Sequence, residues 1–183
     1  MTGLSVRGWA TGVGAVLVLV GTGVWAMGRP AEVDGRLWGE VRPVIEARLA
    51  ADSRGSGYGE AEPGLGARWF CQAEALELAE RDGRVRAGVN TLCMEYGVRD
   101  RALVECSGGS YPQVVLLERR AGAGYRVVSR QEPPDGAGYA QWTESHFGLF
   151  AERGAQDPMS SAGLEAAART HFGLSKDAPI SPC

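Results

Sequence analysis

The chain has 183 residues, of which 44% are hydrophobic and 22% charged, so disorder over most of its length is excluded and one domain with an accessory segment is expected. Its 22 acidic residues slightly outnumber its 19 basic ones, and a net charge of -3 does not suggest the clustered basic face of a nucleic-acid binder. Lys176 is the single lysine; with 27 glycines, the arginine-dominated positive charge reads as compositional bias rather than a functional patch.

Residues 8–28 carry no charged side chain. As a helix, that run reaches roughly 31 Å, which matches a bilayer core of about 30 Å. Trp9 and Trp25 lie near its ends, where amphipathic rings favour the interface. The expectation is a single-pass transmembrane anchor, with residues 1–7 as a cytoplasmic tail and the rest of the chain extracytoplasmic at the cell membrane. The alternative is a signal peptide cleaved near Gly28, giving a secreted product.

Residues 29–66 read as a linker, a helix and a flexible loop. Leu37, Trp38, Val41, Val44, Ile45 and Leu49 recur at helical spacing, Asp34 is a plausible N-cap, and Pro43 conflicts with an unbroken helix. Residues 67–150 read as an antiparallel sheet with a capping helix. Asp82-Gly83 between two apolar runs is a strong hairpin signal, since both residues accept positive φ. Further strands are expected at 102–106, 113–119 and 125–130, joined by short connections. Tyr139, Trp142, His146, Phe147 and Phe150 then recur at helical spacing. Residues 151–183 hold a last helix near 161–174 and a loose tail. The fold class is therefore α+β: an N-terminal transmembrane helix, then a helix packed on an antiparallel meander of about five strands, with C-terminal helices.

Four cysteines, Cys71, Cys93, Cys106 and Cys183, lie beyond the apolar run, where an oxidising compartment would pair them. An ideal turn at Arg99-Asp100 sets Cys93 opposite Cys106. An ideal Asp82-Gly83 hairpin sets Cys71 one residue away from Cys93, a gap that a bulge would close. Both pairings stay open on register alone. No C-x-x-C pair exists, so a metal site is not indicated.

Nucleophile elbow, phosphate-binding loop and dinucleotide fingerprint are all missing. His146 and His171 are the only histidines. Glu95, Tyr96, Tyr111, Asp135 and Trp142 are the residues that could line a sheet pocket, with Glu95 or Asp135 as a carboxylate base if the domain were an enzyme. Asp135, in Pro-Pro-Asp-Gly, also has a plain turn role. No cofactor is implied. The expected partners are the membrane, through residues 8–28, and an unidentified protein or small-molecule ligand; nucleic acid is not among them. The leading reading is a non-enzymatic binding domain, with a pocket enzyme or a structural accessory of the envelope as alternatives.

The strings Trp69-Phe-Cys71, Leu92-Cys-Met-Glu-Tyr96, Gly108-Gly-Ser-Tyr-Pro-Gln-Val-Val115, Gly124-Tyr-Arg-Val-Val128 and Pro133-Pro-Asp-Gly-Ala-Gly-Tyr139 resemble a pattern in uncharacterised exported or membrane-anchored proteins of Gram-positive bacteria. The resemblance covers roughly residues 67–150 and implies that Cys71 pairs with Cys93; Cys106 departs from the pattern. A helix followed by a curved antiparallel sheet is also similar to cystatin-like and NTF2-like folds, which host both enzymes and binding modules.

Overall fold

A computed structural model describes residues 33–122 and 124–183. The expected membrane-crossing run, residues 8–28, lies outside the described residues. Among the described residues, no helix is long and apolar enough to cross a membrane.

Helix α1 spans Gly35–Asp52. It starts where the Asp34 side chain accepts hydrogen bonds from the backbone N–H groups of Arg36 (2.9 Å) and Leu37 (3.1 Å), satisfying two donors that a helix start leaves unpaired. Leu37, Val41, Ile45 and Leu49 repeat every fourth residue and are the buried stripe. Each contributes about 1.5–3 kcal/mol by leaving water. Pro43 sits within the helix without ending it. The carbonyl that loses its partner belongs to exposed Gly39, which water can serve.

Four long strands follow: β1 (Arg68–Arg81), β2 (Arg84–Arg99), β3 (Ala102–Arg119) and β4 (Tyr125–Gln131). They pair antiparallel in the order β1-β2-β3-β4. Asp82 and Gly83 both adopt positive φ (51° and 73°) and make the first turn. Asp100 and Arg101 do the same at the second, with φ of 51° and 63°. That turn is one residue later than the expected Arg99-Asp100, and a bulge between Met94 and Tyr96 adds one more, so Cys93 faces Gly109 and not Cys106.

Two expectations about the sheet are corrected. The runs 102–106 and 113–119 are not separate strands. The intervening Ser107-Gly-Gly-Ser110 continues β3, because Gly108 lies directly under the Met94 thioether and leaves no room for a larger residue. The fifth strand is β5, Ile180–Pro182, and it pairs parallel to β3 through Leu103↔Ile180 and Glu105↔Pro182. The sheet is therefore mixed, and the tail expected to be loose is an edge strand.

Both disulfides are part of this sheet. Cys71 is bonded to Cys93, and Cys106 to Cys183. A bulge at Leu76 shifts the β1–β2 register by one, so that Cys71 comes opposite Cys93. The pairing Cys93–Cys106 does not occur. Two cross-links of this kind belong to an oxidising environment.

Both faces of the sheet are covered along part of their length. On one face, α1 packs on Ala73, Val85, Ala87, Val89, Val115, Leu117 and Tyr125, with Cys71 and Cys93 beneath it. The opposite face receives three short helices: α2 (Tyr139–His146), α3 (Leu149–Gly154) and α4 (Ala162–His171). The single helix expected over 139–150 is broken at Phe147-Gly148. Phe147 turns inward onto Gly88, where a Cβ would lie 2.8 Å from its ring. Phe147 and Ala151 pack with Val114, while Leu164 and Ala168 of α4 pack with Leu92, Tyr96 and Leu103.

Candidate functional site

The five residues expected to share a pocket are not brought together. Glu95 and Tyr96 are neighbours on β2 and point to opposite faces. Opposite Glu95, β3 carries an extra residue, so Met94 faces Gly108 and Tyr96 faces Glu105. This irregularity turns the Glu95 side chain under the segment joining α1 to β1, where it is fully buried. Its carboxylate accepts the backbone N–H of Gly59 (3.0 Å) and of Glu60 (2.7 Å). The Tyr58 N–H donates to the Ser107 hydroxyl at 2.9 Å. The expected flexible loop is thus a strap, fastened to the sheet by a buried acid that accepts from its backbone.

Tyr96 is also fully buried, beside Phe70 and under α4, and its hydroxyl has no hydrogen-bond partner among the described residues. Burial pushes its pKa up, and the negative charges of Glu105 and Glu165 push in the same direction. Glu105 is near but lacks hydrogen-bonding geometry to the hydroxyl.

Tyr111 is half-buried on the α1 face of β3, and burial again raises its pKa, followed by the charge of Glu132. Its carbonyl begins a polar chain. The Thr91 hydroxyl donates to it (2.7 Å), Gln113 donates to Thr91 (3.1 Å), and Arg130 donates to Gln113 (3.0 Å). Arg130 and Arg48 then converge on Asp52 at the end of α1. The buried polar groups are satisfied, and the chain ties helix to sheet.

Asp135 is exposed before the short 3-10 turn Gly136–Gly138, and its side chain makes no capping bond. Trp142 stacks on His146 at 4.1 Å and meets Phe147 edge-on. His146 Nδ1 lies 2.8 Å from the Trp142 carbonyl. A carbonyl only accepts, so that nitrogen carries the hydrogen and is no base for the adjacent Ser145 hydroxyl.

A sizeable cleft lies elsewhere. It has a volume of about 670 Å³ and opens at the hairpin end of the sheet, on the face bearing the short helices. Its cause is a mismatch of lengths. Strands of 14, 16 and 18 residues run roughly 45–60 Å, while helices of 8, 6 and 10 residues span only about 9–15 Å. The helices reach Gly88 and Val114 but not the strand ends beyond. Ala79, Leu116 and Val128 form the floor there, with Leu116 38% and Val128 42% exposed. Arg81, Arg84, Arg86 and Glu118 stand around it. Glu118 pairs with Arg84 at 3.2 Å, and Glu77 pairs with Arg86, which also donates to the His146 carbonyl. Arg81 makes no ion pair among the described residues.

Sequence reasoning missed this cleft. Leu116 sits in Val114-Val-Leu-Leu117, a run that reads as a strand buried on both faces. Only the reach of the short helices decides which of those residues is left open.

Comparison with protein-family models, with curated proteins and with solved structures finds no match to this chain.

Proposed function

We propose that the chain is a membrane-tethered, extracytoplasmic, non-enzymatic binding domain, and that its open sheet corner takes an amphipathic ligand with an apolar body and an anionic end. The observation that carries the reading is the cleft itself. An apolar floor of Ala79, Leu116 and Val128 lies beside the Arg81 guanidinium, which no carboxylate holds among the described residues. Its volume is within the range that small-molecule sites occupy. The two disulfides and the uncharged run at residues 8–28 support placement outside the cytoplasm, held to the membrane. The carboxylates that a pocket enzyme would use support the non-enzymatic reading: Glu95 is spent on two backbone N–H groups, and Asp135 stands apart from the other candidates.

Calorimetry with dodecanoate and with dodecylamine tests the proposal. Dodecanoate is expected to bind, and the amine to bind at least tenfold more weakly. Leu116→Asp and Arg81→Ala should each weaken dodecanoate at least tenfold. Equal binding of the two probes, or none of either, overturns the ligand class. Recovery of the full-length chain in the soluble fraction overturns the tether.

A further inference from the structure

We propose that the Cys106–Cys183 disulfide is a redox latch, opened by an extracytoplasmic dithiol, that releases strand β5 and loosens the strap over Glu95. It lies at the opposite end of the sheet from the hairpin cleft and does not depend on that cleft being a ligand site.

The two disulfides stand in different surroundings. Cys71 and Cys93 are half-buried beneath α1, packed against the main core. Cys183 is exposed. A thiolate therefore reaches Cys183 with little obstruction, while access to the other bond requires α1 to lift.

What the accessible bond holds is small. Strand β5 has three residues and one neighbour, β3. Beyond its short pairing with β3, two backbone hydrogen bonds flank it, Leu103 N–H to the Pro179 carbonyl (2.9 Å) and Cys183 N–H to the Glu105 carbonyl (2.8 Å). So short an edge strand is marginal without a covalent tie. The release stops near Ala178, which is buried and whose carbonyl accepts from Arg169 at 3.2 Å.

The same bond supports the strap. Cys106 packs with Leu65, Ala67 and Val104 under it, and a Cβ on Gly59 would lie 2.9 Å from the Cys106 sulfur. Gly59 and Glu60 are the two residues whose N–H groups Glu95 receives. They also line a shallow cleft of about 400 Å³ with Pro63, Gly66 and Arg68. Opening the bond leaves Cys106 on β3 but frees its sulfur to rotate away from Gly59, so the state of the latch sets how tightly the strap is packed.

The chemistry balances as ordinary exchange. One thiolate of the dithiol attacks the Cys183 sulfur, and the bond to Cys106 breaks with the electron pair going to Cys106, which takes a proton. The second thiol of the reductant, deprotonated, attacks its own partner sulfur in the mixed disulfide and expels Cys183 as a thiolate, which is then protonated. The protein gains two electrons and two protons, and the dithiol leaves as a disulfide.

The test treats the full chain with graded dithiothreitol, followed by alkylation, peptide mapping and hydrogen exchange. Cys106 and Cys183 are expected to be alkylated at reductant concentrations at least tenfold below those that expose Cys71 and Cys93. In that window, the amides of Leu103, Gly59 and Glu60 should exchange at least tenfold faster, with Val85 and Val89 unchanged. Cys183→Ser should give the same exchange pattern without reductant. Opening of both bonds together, or opening of Cys106–Cys183 with Leu103 and Gly59 still protected, overturns the proposal. Should Cys183→Ser fail to fold, the titration of the natural chain decides alone.

Discussion

At the scale of single residues, two buried side chains on β2 have opposite consequences. Glu95 holds two backbone N–H groups, so Glu95→Ala leaves both unpaired in the interior and is expected to cost about 3 kcal/mol in urea unfolding. Glu95→Gln keeps an acceptor and should cost about half of that. Gly57→Ala tests the same contact from the other side. A Cβ there would overlap the Glu95 carboxylate, and relieving it should cost about 2 kcal/mol. Tyr96 is the reverse case, because its hydroxyl is buried without a partner. Tyr96→Phe removes an unmet desolvation cost and should be neutral or stabilising by about 1 kcal/mol at pH 7. The folded state holds the Tyr96 pKa above its ordinary value. The stability this represents is fully present below about pH 10, the ordinary tyrosine value, and is lost as pH rises toward the folded value. Stability measured from pH 8 to pH 11 should therefore fall less steeply in Tyr96→Phe than in the natural chain. Equal slopes would show that Tyr96 is free to ionise in the folded state.

At the scale of elements, the sequence is a good guide wherever a local signal has no competitor. The stripe of α1, its Asp34 cap and the Asp82-Gly83 turn are all where periodicity and turn chemistry put them. Errors arise where a local signal is overridden by something distant. Ser107-Gly-Gly-Ser110 has turn composition, yet β2 beside it supplies a strand partner, and Met94 needs the space that glycine leaves. The tail has loop composition, yet Cys106 and the free edge of β3 capture it. Pro43 carries a strong helix-breaking signal, and burial of Val41 and Ile45 on either side outweighs it. The missing hydrogen bond still has an energetic cost. Pro43→Ala restores the N–H to Gly39 and should raise stability by about 1–2 kcal/mol, read as a higher urea midpoint with unchanged slope. A lowered midpoint would mean that the proline ring makes a contact worth more than the bond it removes.

At the scale of the whole molecule, the candidate residues chosen for their chemistry are spread over both faces of the sheet, and Glu95 holds the strap. The cleft was hidden from sequence because its shape depends on how far short helices extend over long strands. Glu95, Tyr96 and Tyr111 drew attention as polar groups in apolar strands, and that property also marks residues that fasten layers together. The layers are fastened further by the two cross-links, whose energetic weights differ in a way that local environment does not reveal. Cys71–Cys93 closes a sequence separation of 22, and Cys106–Cys183 one of 77. On the chain-entropy account, the first restricts the unfolded state by roughly 3.5 kcal/mol and the second by roughly 4.5 kcal/mol. The more accessible bond therefore contributes more to global stability, although locally it ties down only a three-residue strand and the packing of one strap. Paired Cys→Ala variants separate these effects. Cys71→Ala with Cys93→Ala should lower the urea midpoint by the smaller amount. Cys106→Ala with Cys183→Ala should lower it by the larger one, and should also increase the slope more, since the unfolded chain expands more when the longer loop is opened. Should the first pair prove the more costly, the packing of its sulfurs under α1, and not chain entropy, would be the dominant contribution.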